Sequence, residues 1–169
     1  MVIDGSKGVE VQTKKLFKVC VMRNIPIFTF INKMDRDALD SFELLDEIET
    51  VLGIQTCPVN WPIGSGKNFQ GTYDREKKQI TRFIASDKGQ KKLKSVDASL
   101  GDLDLDDFIG KENHEKLEEE IELLDGATAP LDMDLVQKGK LTPVFFGSAL
   151  TNFGVETFLK YFLKMTSSP

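Results

Sequence analysis

The chain has 169 residues, with 27 acidic side chains against 22 Lys and Arg, a formal charge of −5 and a pI near 5.0. That length supports one domain with at most a small insertion, and it buries enough surface that neither a metal nor a disulfide is needed for stability. The acidic balance argues against a non-specific clamp on free DNA or RNA, and no apolar run approaches the ~18 residues of a membrane span, so a cytoplasmic protein without membrane contact is expected.

Val2-Ile3 is a short apolar run closed by the turn signal Asp4-Gly5. Leu16, Phe17, Cys20 and Val21 recur at helical spacing, which predicts a helix with these residues inward and Lys14, Lys15 and Lys18 outward. Ile25 to Ile31 is β-branched and aromatic and reads as a buried strand, followed by the polar cluster Asn32-Lys33-Met34-Asp35-Arg36. Asp40 with Glu43 forms a capping box, Leu44, Leu45, Ile48, Val51 and Leu52 form a stripe, and Gly53 closes the helix. Residues 1–60 therefore read strand, helix, strand, helix, strand, the pattern of a parallel α/β sheet. Cys20 and Cys57 lie in apolar runs, outside any Cys/His cluster, and read as reduced core residues.

After Ile54 the pattern changes. Pro58, Trp61 and Pro62 interrupt it, and residues 71–84 alternate around a polar turn at 74–78, which predicts an antiparallel hairpin. Residues 85–113 are weakly patterned and include the acidic run Asp102, Asp104, Asp106 and Asp107, which reads as solvated. Leu117, Ile121 and Leu124 face inward on a helix over 112–124, with Glu118, Glu119 and Glu120 solvated, and 134–138 fits a short helix. His114 sits near that helix start without a visible partner and reads as a surface residue. The segment 56–140 thus reads as an insertion between 1–55 and 141–169. Leu141 to Phe146 is a strand, Gly147-Ser148-Ala149 a loop, and Val155, Phe158, Leu159, Phe162 and Leu163 mark a final helix.

The strongest local signal is Asn32-Lys33-Met34-Asp35 directly after a strand, where α/β sheets bind ligands. A carboxylate such as Asp35 accepts two parallel hydrogen bonds from guanine N1–H and its 2-amino group. Adenine lacks that donor pair and leaves the charge unpaired. Asn32 either bonds the base edge or ties the loop to its neighbour, and the stem of Lys33 can lie flat over the purine. Ser148-Ala149-Leu150 follows a second strand, and its small residues let backbone N–H groups approach a carbonyl such as guanine O6. Two sequences are decoys. Gly64-Ser65-Gly66-Lys67 ends like a phosphate loop but has Trp61 where Gly is required and Asn68 where Ser or Thr is. Asp107-Phe108-Ile109-Gly110 matches Asp-x-x-Gly but falls after the Asn-Lys-x-Asp motif. No catalytic or metal-binding residue is singled out.

With residues 2–10, 28–36, 43–48, 58–67 and 144–158 as the matching runs, the sequence resembles the bacterial class-II peptide chain release factor family of translational GTPases. The Pro-Val-Asn-Trp-Pro-Ile-Gly run at 58–64 is closer to this family than to elongation factor G, which stays as an alternative beside a non-catalytic interaction module. The resemblance implies guanine contacts from Asn32, Lys33, Asp35, Ser148, Ala149 and Leu150. It implies half of a P-loop GTPase-like parallel sheet, with three strands (first, second and last) side by side and flanking helices, plus an α+β insertion carrying the hairpin. For the parent protein it implies GTP or GDP with magnesium, GTP hydrolysis, and the ribosome and class-I release factors as partners. The phosphate loop and both switches of that family have no counterpart in these residues. No nucleotide is therefore expected to stay bound to this segment, hydrolysis is not expected, and the Met1–Asp4 strand becomes an open edge prone to self-association.

Overall fold

The computed structural model describes residues 1–85, 91–96, 100 and 105–166. In chain order its elements are β1 (Val2–Asp4), α1 (Val11–Met22), β2 (Thr29–Asn32), α2 (Ser41–Leu52), β3 (Gln55–Pro58), β4 (Asn60–Ile63), β5 (Gly71–Asp74), β6 (Gln79–Ala85), β7 (Lys91–Val96), α3 (Leu105–Ile109), α4 (Lys111–Ala127), α5 (Met133–Gln137), β8 (Leu141–Phe146) and α6 (Val155–Met165). A 3-10 turn spans Gly66–Asn68.

One sheet is parallel, in the order β1-β2-β8-β3. The expected trio is there, side by side, but Gln55–Pro58 adds a fourth strand on the far edge, pairing Thr56 with Thr142 and Pro58 with Val144. It is the third strand read in residues 1–60, and a proline is tolerated at the end of an edge strand. β8 is buried at all six positions, as a strand covered on both faces must be. The expected hairpin is part of a second, antiparallel sheet, β4-β5-β6-β7. Asp74 sets its turn by accepting from Glu76 N at 3.1 Å and Lys77 N at 3.0 Å.

The helices are capped where the sequence places the caps. Asp40 Oδ1 accepts from Phe42 N and Glu43 N, and Gly53 adopts φ 69°, ψ 30°. Leu44, Leu45 and Ile48 of α2 are buried, as are Leu117, Ile121 and Leu124 of α4. On α1 only Phe17 is buried; Leu16 is 67% exposed and Val21 45%, because no described element covers that face. On α6 Val155, Phe158 and Phe162 pack on the core as expected, Tyr161 is its buried residue, and Leu159 and Leu163 are exposed. The Tyr161 hydroxyl donates to Asp74, 2.9 Å from Oδ1, and burial with that neighbouring carboxylate pushes its pKa up.

The two sheets share one core around Trp61, which is fully buried with ring contacts to Phe42 at 4.8 Å and Phe146 at 5.2 Å. A buried indole N–H needs an acceptor, and Glu120 supplies it at 2.7 Å instead of lying on a purely solvated face. His114 is also not a lone surface residue. Its ring nitrogens lie 2.6 Å from Asp106 Oδ1 and 2.7 Å from the Leu100 carbonyl, joining α4 to α3 and the segment before it. Asp106 and Asp107 lie on α3, while Asp102 and Asp104 lie outside the described residues. Cys57 is buried and Cys20 half-buried, and both are free.

Hydrogen bonding to Asp106 and then to Leu100 raises the His114 pKa above its usual value. A raised pKa adds stability that is complete below the unfolded value of about 6.5 and is lost as pH climbs through the folded one. The urea midpoint of the native chain should therefore fall between pH 5.5 and 8.5 by more than that of His114→Gln. Equal falls would contradict the assignment.

Candidate functional site

β2 and β8 are parallel neighbours, so their carboxyl ends emerge on the same edge of the sheet. The loops that follow, 32–36 and 147–150, are therefore adjacent, at the position where α/β sheets bind ligands. Met34 N donates to Gly147 O at 3.1 Å, and Gly147 N donates to Ile31 O at 3.0 Å. Asn32 completes the union: its side-chain oxygen accepts from Lys33 N and from Ala149 N, both at 2.8 Å. Of the two roles open to Asn32, the structure shows the tie between loops.

Gly147 is required by space. A Cβ there would lie 2.4 Å from Phe153 O and 2.8 Å from the Phe30 ring. Ser148 is fully buried, with its N–H on Phe153 O at 2.9 Å and its carbonyl accepting from Phe153 N at 2.8 Å. The pair closes a short turn that presents Ala149 and Leu150 outward, Leu150 being 76% exposed.

Lys33 takes a left-handed backbone, φ 71°, and its ammonium donates to Asp4 Oδ2 at the end of β1. Asp4 also accepts from Ser6 N at 3.0 Å and Ser6 Oγ at 2.7 Å. These donors, Lys33 first, hold its carboxyl down to about 2, well below the usual range. The Lys33 stem is thus held beside the loop at its charged end. Asp35 differs from its neighbours, because its Oδ1 is buried without a hydrogen-bond partner. An unpaired carboxylate oxygen carries a desolvation cost that a donor removes.

Three contributors were not legible as site residues. Asp4 read as a turn former. Gly66, within the rejected phosphate-loop decoy, donates its N–H to Met34 O at 3.1 Å and so props the first loop. Asn60 is fully buried and grips Phe146, the residue before the second loop, through both amide atoms. Only the partner reveals each role, and the partners are 29 residues away along the chain for Asp4 and 86 for Asn60. Among the described residues no group of three His, Cys, Asp or Glu side chains converges to hold a metal ion, and no helix is long and apolar enough to cross a membrane.

Comparison with known proteins places this geometry. The family described as elongation factor Tu GTP binding domain matches residues 1–168. A peptide chain release factor 3 of Symbiobacterium thermophilum is 53% identical over all of this chain, which covers 32% of that protein. That of Trichormus variabilis is 53% identical, with 31% of it covered. The chain thus spans about a third of the length of these curated relatives. A crystal structure from Thermus thermophilus superposes with a TM-score of 0.68 at 19% identity, over 99% of this chain and 26% of that one, which is a likeness of fold.

Asn32→Ala removes one acceptor shared by two N–H groups on different loops. Both sites are reachable by water, so the cost should be about 1 kcal/mol in urea denaturation. Amide exchange at Ala149 should accelerate more than at Ile48. Unchanged protection at Ala149 would show that Asn32 does not hold the loops together.

Proposed function

Because the chain belongs to the elongation factor Tu GTP binding domain family, we propose that its two strand-end loops supply the guanine-base recognition of a translational GTPase. The observation that carries this reading is the direct hydrogen bonding between the loop that holds Asp35 and the loop 147–150 at the carboxyl ends of neighbouring parallel strands. Guanine N1–H and its 2-amino group satisfy both Asp35 oxygens in parallel. Adenine leaves them unpaired, and the penalty is the selectivity. The Lys33 stem packs on one purine face, the turn Ser148-Ala149-Leu150 lies toward the O6 side, and Asn32, holding the Ala149 N–H, keeps the two halves in register.

The release factor 3 relatives support a wider role. The parent protein uses GTP to recycle class-I release factors from the ribosome in the cytoplasm, and this segment contributes specificity for the base. Residues 1–55 and 141–169 form the nucleotide-binding part and 56–140 an inserted subdomain, with the seam inside β3. Phosphate binding and hydrolysis reside in segments outside these 169 residues, so the isolated chain binds guanine nucleotides weakly and does not hydrolyse them. The magnesium that accompanies such nucleotides is held through their phosphates and takes no part in base recognition. β1 is an edge strand with Val2 65% exposed, and the isolated chain pairs with a second copy through it.

Asp35→Asn tests the base reading. An amide at residue 35 offers a donor to the 2-carbonyl of xanthine and loses the double acceptor for guanine. NMR titration of the chain should show the preference move from GDP toward XDP by about tenfold or more. An unchanged GDP preference would overturn the assignment of Asp35. Light scattering should show mass rising above one chain with concentration; a monomer throughout would overturn the edge pairing.

A further inference from the structure

β8 meets β3 only as far as Pro58↔Val144, and Val59 N adds one more bond, to Val144 O at 2.9 Å. There the neighbouring chain turns away from the parallel sheet and becomes β4 of the antiparallel one. In a parallel ladder alternate residues direct their N–H and C=O to opposite sides. Phe146, two residues beyond Val144, therefore directs its backbone toward a strand that has left. An unpaired buried peptide group is costly. The Asn60 carboxamide takes the place of the absent peptide: its Oδ1 accepts from Phe146 N at 2.7 Å and its Nδ2 donates to Phe146 O at 3.0 Å.

We infer that Asn60, the first residue of the antiparallel sheet, is a positioning residue for base selectivity, acting through Phe146 on the loop Gly147–Leu150. The inference rests on the guanine reading above and deepens it. Phe146 is the last residue before that loop, and Gly147 has no room to absorb a shift. A displacement of Phe146 passes to Ala149, whose N–H is shared with Asn32 of the first loop. The same subdomain reaches the first loop directly, through Gly66 N on Met34 O. The antiparallel sheet thus braces both halves of the base site. Asn60 and Asp74 are cross-strand partners, and Asp74 also holds Tyr161 of α6, the helix that follows the second loop. Whatever moves this sheet therefore moves the base loops.

The test compares variants in the full 169-residue chain by heteronuclear NMR, titrating GDP and ADP separately. In Asn60→Asp the carboxylate keeps the acceptor for Phe146 N but cannot donate to its carbonyl. The ratio of ADP to GDP dissociation constants should fall about tenfold, with shift changes at Gly147–Leu150. Thr142→Val is the control, because it removes a buried hydroxyl of β8 that sits 2.8 Å from Thr29 Oγ1, away from the loops. It should destabilise the chain and leave the ratio unchanged. If Asn60→Asp does not fold, Gly66→Ala strains the second brace at the start of the 3-10 turn, where φ is 58° and a Cβ would lie 2.8 Å from Asp37 Oδ1. It should perturb Met34 and Asp35 and lower GDP affinity. An unaltered ratio in Asn60→Asp, an equal loss in Thr142→Val, or, where Asn60→Asp does not fold, an indifferent Gly66→Ala would overturn the positioning role. A native chain with no preference for GDP over ADP would instead overturn the guanine reading beneath it.

Discussion

The rest of the structure depends on satisfying one strand. Leu141–Phe146 is buried at every residue, flanked by β2 on one side and β3 on the other. No water reaches its backbone, so every N–H and C=O must find a protein partner. On the β2 side the ladder does this and, because the strands are parallel, delivers Asn32 and Gly147 to the same edge. On the β3 side the ladder runs out, and Asn60 substitutes. The Thr142 hydroxyl adds a bond to the Ile27 carbonyl at 2.9 Å, extending the pairing to the residues that lead into β2. The juxtaposition of the two loops is thus a consequence of completing one buried strand.

The same economy joins the antiparallel sheet to the parallel one. Trp61 follows Asn60 and fills the space between α2, β8 and α4, touching Phe42 and Phe146 and donating to Glu120. A fully buried aromatic with its one polar atom satisfied is among the largest single contributions to a core. Arg75 reinforces the seam, its guanidinium donating to the Pro58 carbonyl at 2.8 Å and to Asp125 at 2.5 Å. The antiparallel sheet is consequently packed against the parallel one and not merely tethered to it.

Much of this was legible in sequence where the signal is local. The continuous apolar run of β8, the Asp40 cap, the αL Gly53 and the hairpin around Asp74 all stand where their residues place them. Asn32 and Ala149, read as parts of two neighbouring loops, are in direct contact. What was not legible needs knowledge of the neighbour. Periodicity says that Leu16 and Val21 share a face with Phe17, but not whether anything covers that face. Leu163 looks inward by the same rule, yet Tyr161 takes the core position because Asp74 waits there for its hydroxyl. Gln55–Pro58 is read as a strand from sequence, but its place on the far edge beside β8 is set by sheet order. Asp4, Asn60 and Gly66 carry ordinary turn or strand chemistry in sequence and acquire their roles from sheet order.

The central claim is that the edge formed by loops 32–36 and 147–150 selects guanine. The most direct measurement is a heteronuclear NMR titration of the native chain with GDP and, separately, ADP. The account predicts shifts concentrated at Asn32–Asp35 and Gly147–Leu150 with GDP, and binding about tenfold or more weaker with ADP. Equal responses to the two nucleotides, or shifts confined to other residues, would contradict it.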